Sequence, residues 1–420
     1  MDRRSVLSAI ATAPVLAAIS PSDLLAGFLR SPDSPGGVSA SMWTYLWDLV
    51  DEGYENVLTR LKDHGLTSIS IATAYHAGKF LAPHNPKRKV VFLEDGTVYF
   101  RPDLKLYGRV KPLVNSLVQK GHGLAAVKKA ADKLGLKTRA WVVCCHNTPL
   151  GMTYPGIACE NVFGDKLYHN LCPSNPDVRT FIRALVKDIA GHGIDAIELE
   201  ALQFQGYTHG FHHEREGIEL TGAARFLLGL CFCPACVDQA ARTKFDIRPI
   251  RAFTRITLEA FFSDPAPVAE KYGSVDTLPA DLFDPFLEWR KSIIVSLLEE
   301  LAEASRTTKL RPLMHVDPLP RKLVSVDPQR SSAITGGILA LGYVRDGAAL
   351  RSPLSTFQKV VGPGEITVGL QVGLPESGGR KEFLERMTVA KELGIRSFNF
   401  YNYGFVPYEH ITWITEGLRA

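Results

Sequence analysis

Several things are scarce in this 420-residue sequence, and each scarcity removes a class of function. No apolar run reaches the roughly 18–20 residues that a membrane-spanning helix needs, so no membrane span is expected. Neither charge sign dominates. The 48 basic and 44 acidic residues leave a net charge of +4 with no basic block, so nucleic acid is not an expected partner. No G-x-G-x-x-G follows the first strand-like segment, as a dinucleotide-binding sheet would require. The H-x-H that amidohydrolase barrels carry on their first strand is also missing. There is no repeat and no low-complexity tract. Cysteine is sparse, with 7 in the chain, yet three fall together in "CFCPAC" at 231–236. A hydrophobic share of 45% and a charged share of 22% are ordinary for a globular enzyme.

The chain opens with "MDRRSVLSAIATAPVLAAIS". Arg3 and Arg4 precede a weakly apolar stretch of small residues, the pattern of a twin-arginine export signal. A plain N-terminal helix is the alternative. "SPDSPGG" (31–37) follows as a linker. Residues 1–37 therefore divide from a single domain over 38–420, and the protein is expected outside the cytoplasm.

Beyond the linker, β-rich runs alternate with helical ones. The runs lie at 41–49, 66–76, 136–147, 194–202, 311–318, 336–344, 366–373 and 396–404. Strands alternating with helices imply a parallel sheet. In "HGLTS", "LGLKT", "HGIDA" and "LGIRS" a glycine ends a helix and an apolar residue opens the next strand. Eight such units predict a (β/α)8 TIM barrel, with a doubly wound sheet as the runner-up. Two insertions are expected on the mouth side, at about 77–121 after strand two and 203–280 after strand four. In the first, Asp95-Gly96 reads as a hairpin tip.

Barrel enzymes carry their chemistry at strand C-termini. Those ends supply Trp47 and Asp48; Tyr75 and His76; His146 and Asn147; Glu198 and Glu200; His315 and Asp317; Tyr343; Gln371 with Glu376 just beyond; and Asn399 and Tyr401. Side chains alternate along a strand, so Glu198 and Glu200 share one face, which points into the barrel. Glu200, nearer the mouth, is the better catalyst. Glu198 lies one layer deeper and either orients a partner or belongs to an ion pair. Acids beside flat aromatic faces suit carbohydrate, and cleaving a glycosidic bond takes two carboxyls. Glu376, Asp317 and Glu198 are the candidates to join Glu200. His209, His212, His213 and Glu214, in "GYTHGFHHEREG", are candidates to bind substrate or fix the loop, with a catalytic metal site or a plain surface loop as the alternatives.

Three thiolates spaced C-x-C-x2-C make most of a tetrahedral zinc site. Cys231, Cys233 and Cys236 then need a fourth ligand. Cys172 is the first candidate, Cys159 the second and His169 the weakest. Four thiolates would saturate zinc and make the site structural. A disulfide with spare thiols, or simply buried cysteines, are the plainer alternatives.

"LCPSNPDVR" upstream, acids ending strand four and "CFCPAC" downstream together resemble the cysteine-cluster β-galactosidases of glycoside hydrolase family 42. The resemblance covers about residues 170–240 and the barrel plan. It implies a retaining (β/α)8 glycosidase, a zinc site completed by the upstream cysteine, and catalytic glutamates on strands four and seven. Glu200 matches the acid/base. That family ends strand four in Asn-Glu, where this chain has Leu199-Glu200. Strand seven offers Gln371 where a glutamate is expected.

Three functions follow: a glycoside hydrolase acting on an oligo- or polysaccharide, a metal-dependent barrel hydrolase or isomerase using His76, His146 and His315 with Glu200 or Asp317, or a non-catalytic sugar-binding barrel. Export is tested separately. With Arg3 and Arg4 both replaced by lysine, fractionation should find the protein in the cytoplasm; unchanged export would refute the twin-arginine reading.

Overall fold

Four helix-to-strand junctions turn on a glycine in the left-handed region: Gly65 (φ 88°), Gly135 (71°), Gly193 (69°) and Gly394 (83°). A Cβ is disfavoured there, and the next residues, Leu66, Leu136, Ile194 and Ile395, are all buried. The computed structural model describes residues 37–208 and 213–420. The twin-arginine segment, most of the linker, His209 and His212 lie outside the described residues.

Residues Val38–Ala420 form one unit. Its strands are β1 (Ser39–Thr44), β2 (Ser68–Tyr75), β3 (Lys137–Val143), β4 (Ala196–Glu200), β5 (Lys309–His315), β6 (Gly337–Leu341), β7 (Glu365–Gln371) and β8 (Ser397–Tyr401). Each pairs in parallel with the next, and β8 pairs back onto β1. Around them run α1 (Tyr54–Asp63), α2 (Leu124–Lys133), α3 (Pro176–Ala190), α4 (Ala280–Ala304), α5 (Pro328–Thr335), α6 (Gly347–Val361), α7 (Arg380–Glu392) and α8 (Tyr408–Arg419). This is a closed (β/α)8 barrel, as the alternation predicts.

Three local expectations are corrected. The first strand stops at Thr44, and Leu46–Glu52 forms a helix carrying Trp47 and Asp48. The Asp48 carboxylate accepts the Tyr45 backbone N–H at 3.0 Å and so anchors the first helical turn. Asp95-Gly96 is not a hairpin tip. Val90–Phe92 pairs with Lys79–Leu81, while Thr97–Val98 pairs antiparallel with the end of β2. Asp95 accepts the Ala77 N–H instead, tying the turn to the exit of β2. A third insertion follows β3, where Ala158–Glu160 pairs with Lys166–Leu171.

The barrel interior is polar at one layer. Glu198 is fully buried and accepts hydrogen bonds from Trp43 Nε1 on β1 (2.8 Å), Ser70 Oγ on β2 (2.5 Å) and Asn399 Nδ2 on β8 (3.0 Å). Arg139 Nε on β3 stands 2.8 Å from Glu198 Oε1, close enough to pair by charge though off the axis of a hydrogen bond. One carboxylate on β4 therefore holds four other strands. Burial pushes the Glu198 carboxyl up from its ordinary range, and Arg139, Ser70 and Trp43 pull it back.

Removing one partner of such a pair leaves a buried charge uncompensated, which costs about 3–5 kcal/mol. Arg139→Met should therefore lower the urea midpoint sharply. Adding Glu198→Gln to it should recover part of the loss. Additive losses in the double variant would show that the two side chains are not coupled.

Candidate active site and a buried cysteine cluster

Glu200 ends β4 on the same face as Glu198 and is partly open to solvent. Trp141 on β3 donates its Nε1–H to Glu200 Oε2. Rings surround this pair. Tyr75 meets Trp141 edge to face at 4.8 Å, Tyr401 meets it at 6.1 Å, and Tyr45 packs against Tyr75 at 5.2 Å. Tyr343 lies 5.9 Å from Tyr401. Burial pushes the Glu200 carboxyl up to about 7, and the charge of Glu198 below adds to the rise, against the hydrogen bond from Trp141. A carboxyl near 7 can hold a proton at neutral pH and then release it.

The other candidate acids differ in setting. Glu376 is exposed in the turn Pro375–Ser377 after β7, with Oε1 2.9 Å from Gln371 Nε2. The Tyr401 phenol feels the charge of both Glu200 and Glu376, besides the burial that dominates its upward shift. Asp317 precedes the helix Pro318–Val324, where its side chain makes no capping bond, and its charge acts on His315 and Arg321. Glu198 is sealed below.

Several residues expected to meet substrate are engaged in holding the fold. Trp47 is buried and stacks on Tyr45 at 4.2 Å. Asp48 is a buried helix anchor whose carboxyl burial pushes up to about 7. Asn399 lies inside the barrel on Glu198. Asn147 accepts the Leu150 N–H and donates to the Gly96 carbonyl. Asp48, Asn399 and Asn147 each satisfy a backbone group or a charge that burial would otherwise strand. His213 and Glu214 are exposed on the loop after β4.

His76 and His146 stack at 4.4 Å, with His169 6.0 Å from His146. Among the described residues, the only His, Cys, Asp and Glu atoms that converge as a metal site are four sulfurs. His76, His146 and His315 do not gather with Glu200 or Asp317 into such a group, which corrects the strand-end metal reading. Trp141 was missed in the sequence because it sits inside β3 rather than at its end. Its inward parity with Arg139, two residues earlier, was the available signal.

The sulfurs belong to Cys172, Cys231, Cys233 and Cys236, all buried and all within 4.8 Å of one another. Cys172 lies 3.5 Å from Cys233 and from Cys236 and 3.8 Å from Cys231. Zinc–sulfur bonds of about 2.3 Å in a tetrahedron put the sulfurs ~3.8 Å apart, so the four residues fit such an ion. None is in a disulfide. Two insertions build the group. Cys172 follows the hairpin strand Lys166–Leu171, and Cys233 caps the helix Pro234–Arg242 that carries Cys236. The Phe232 N–H donates to the Glu160 carbonyl at 2.7 Å and fastens the insertions together. Cys159 is buried beside Cys172 and Cys231 but stands outside the converging set. The four cysteines thus form a buried cluster able to bind a metal such as zinc.

No protein-family model matches the sequence, and no curated protein does. Solved structures do match in fold. The β-galactosidase of Bacillus circulans sp. alkalophilus superposes with a TM-score of 0.55 at 10% identity, over 91% of this chain and 56% of that one. The β-galactosidase of the psychrophilic Marinomonas ef1 gives 0.53 at 9%, over 91% and 59%. The polyextremophilic β-galactosidase of the Antarctic haloarchaeon Halorubrum lacusprofundi gives 0.51 at 12%, over 90% and 57%. The chain spans somewhat over half the length of these proteins. It bears a distant resemblance, in fold, to the (β/α)8-barrel glycoside hydrolases.

Cys233→Ser should lower bound zinc and thermal stability together, because metal binding of this kind contributes directly to folding. Elemental analysis beside a melting curve reads both. Full stability after chelation under denaturing and refolding conditions would refute a metal role.

Proposed function

We propose that the protein is a glycoside hydrolase acting on an oligo- or polysaccharide, with Glu200 as its general acid. The observation that carries this reading is a carboxyl at the end of β4, pushed to about 7 and held under a wall of aromatic rings. Ring faces bind the apolar faces of a sugar, and a protonated carboxyl at their edge can donate to the leaving oxygen. Glu376 is the second carboxylate, oriented by Gln371 and facing the same tyrosine as Glu200. Glu198 acts from beneath by keeping the Glu200 proton in place, a positioning role.

The cysteine cluster holds zinc in this reading, with Cys172, Cys231, Cys233 and Cys236 as ligands. Bound there, zinc supplies a saturated tetrahedral cross-link between two insertions. The chemistry of the mouth is left to the carboxyls. Export by the twin-arginine route accompanies this proposal.

One observation favours a second reading. Gln371 ends β7 where a retaining barrel glycosidase would place its nucleophile, which suits a barrel that binds sugars without cleaving them. Glu200→Gln separates the two. In a glycosidase it should cost at least ~10²-fold in turnover of a substrate with a poor leaving group and spare the first step of a nitrophenyl glycoside. Wild-type activity should fall as pH rises through about 7, as the Glu200 proton is lost, and the variant should lack that limb. Equal losses on both substrates would make Glu200 a nucleophile or a structural group. No cleavage by the wild type in a glycan panel that it binds would favour the binding barrel.

A further inference from the structure

Beside the mouth, between the segment leaving β4 and the end of β5, lies a cavity of about 330 Å³. That is near the lower end for small-ligand sites. Its charged lining is of one sign. Arg225, Arg290 and Arg321 line it together with His315, and no described aspartate or glutamate does. Gln203, Gln205, Tyr207, Thr208, Phe226 and several aliphatic side chains form the remaining wall.

The three arginines are not equivalent. Arg225 is neutralised at the rim by Glu216, at 2.7 Å and 2.9 Å. Arg321 is buried and donates only to backbone carbonyls, those of His315 (2.9 Å) and Val316 (2.5 Å). Arg290, from α4, is 2% exposed, and its Nε and Nη1 have no hydrogen-bond partner. Its guanidinium packs 4.4 Å above the Phe204 ring. Burial pulls Arg290 down to about 10, and nearby Cys159, Cys236, Cys231 and Cys172 oppose the fall, so it stays cationic at neutral pH. No sulfur bonds to its Nε or Nη1.

A buried guanidinium whose Nε and Nη1 are sealed from solvent without a partner is costly unless an acceptor reaches it. Its planar fork matches a carboxylate or a sulfate. Gln203 follows Glu200 by three residues, a reach of at most ~11 Å, so a group seated here can belong to a sugar held at the proposed acid. We infer that this cavity binds an oxyanion carried on the sugar substrate, either the carboxylate of a hexuronic acid or a sulfate ester, with Arg290 and Arg321 as its cationic floor. This rests on the glycosidase reading for the identity of the substrate, and it narrows that substrate to an acidic glycan.

The test is calorimetric titration of the full-length protein with glucuronate, glucose 6-sulfate and glucose. At least one anionic sugar should bind ~10-fold or more tightly than glucose, as expected of a charge-assisted contact. Whichever does so identifies the source of the oxyanion. Arg290→Met should abolish the preference. Because that variant could unfold, Gln203→Glu is the second. Gln203 is half-buried and lines the cavity, and a carboxylate there adds a negative charge to its wall. It should weaken anionic binding ~10-fold more than it weakens glucose binding. Equal binding of all three sugars by the wild type would overturn the inference, and so would an anion preference untouched by Gln203→Glu. Anion binding that depends on Arg290 in a protein that cleaves no glycoside would uphold the cavity and defeat the hydrolase reading instead.

Discussion

Closing eight strands into a barrel leaves an interior that side chains must fill, and here one layer is filled with charge. Glu198 gathers Trp43, Ser70, Arg139 and Asn399 from four other strands. Further round, Arg311 on β5 pairs with Glu365 at the start of β7, across two strand boundaries. Such a network stabilises only when complete, because any missing partner strands a charge away from water. It also sets the mouth above it. Glu200 is one pleat higher, and its proton affinity is raised by burial first and then by the charge of Glu198 beneath.

Above that layer the aromatic residues divide between packing and display. Trp43, Tyr45 and Trp47 are sealed, while Tyr343 and Tyr401 stay partly accessible around Glu200. The insertions after β3 and β4 add the rest of the mouth. Both bury apolar side chains, among them Leu150 and Ile157 of the first and Leu227, Leu258 and Phe261 of the second. They meet at the cysteine cluster, and α4 sends Arg290 up between the cluster and the cavity beside the mouth. The proposed metal, the unpaired guanidinium and the cavity are thus neighbours in one small region, far apart in sequence.

The barrel itself was legible in the sequence. Hydrophobic runs, helical spacing and four helix-stopping glycines are local signals, and all eight strands formed where they pointed. The cysteine set was legible too, because three ligands are adjacent in the chain and the fourth sits just before a helix. Parity along β4 placed both glutamates inward. These features depend on bonding geometry within a few residues, which sequence carries directly.

Only the tertiary structure decided what each strand-end residue does. Asp48 and Asn147 became anchors of local backbone, Asn399 joined the charge layer, and Trp141 proved to be the hydrogen-bond partner of Glu200. The roles of Arg139 and Arg290 were likewise invisible, because they depend on which strand or insertion lies across the barrel. A side chain's burial, partner and proton affinity come from neighbours hundreds of residues away. The sequence by itself settled the periodicity and therefore the barrel; the closure of that barrel settled which acid is buried with a counter-charge and which is left at the mouth with its proton affinity raised.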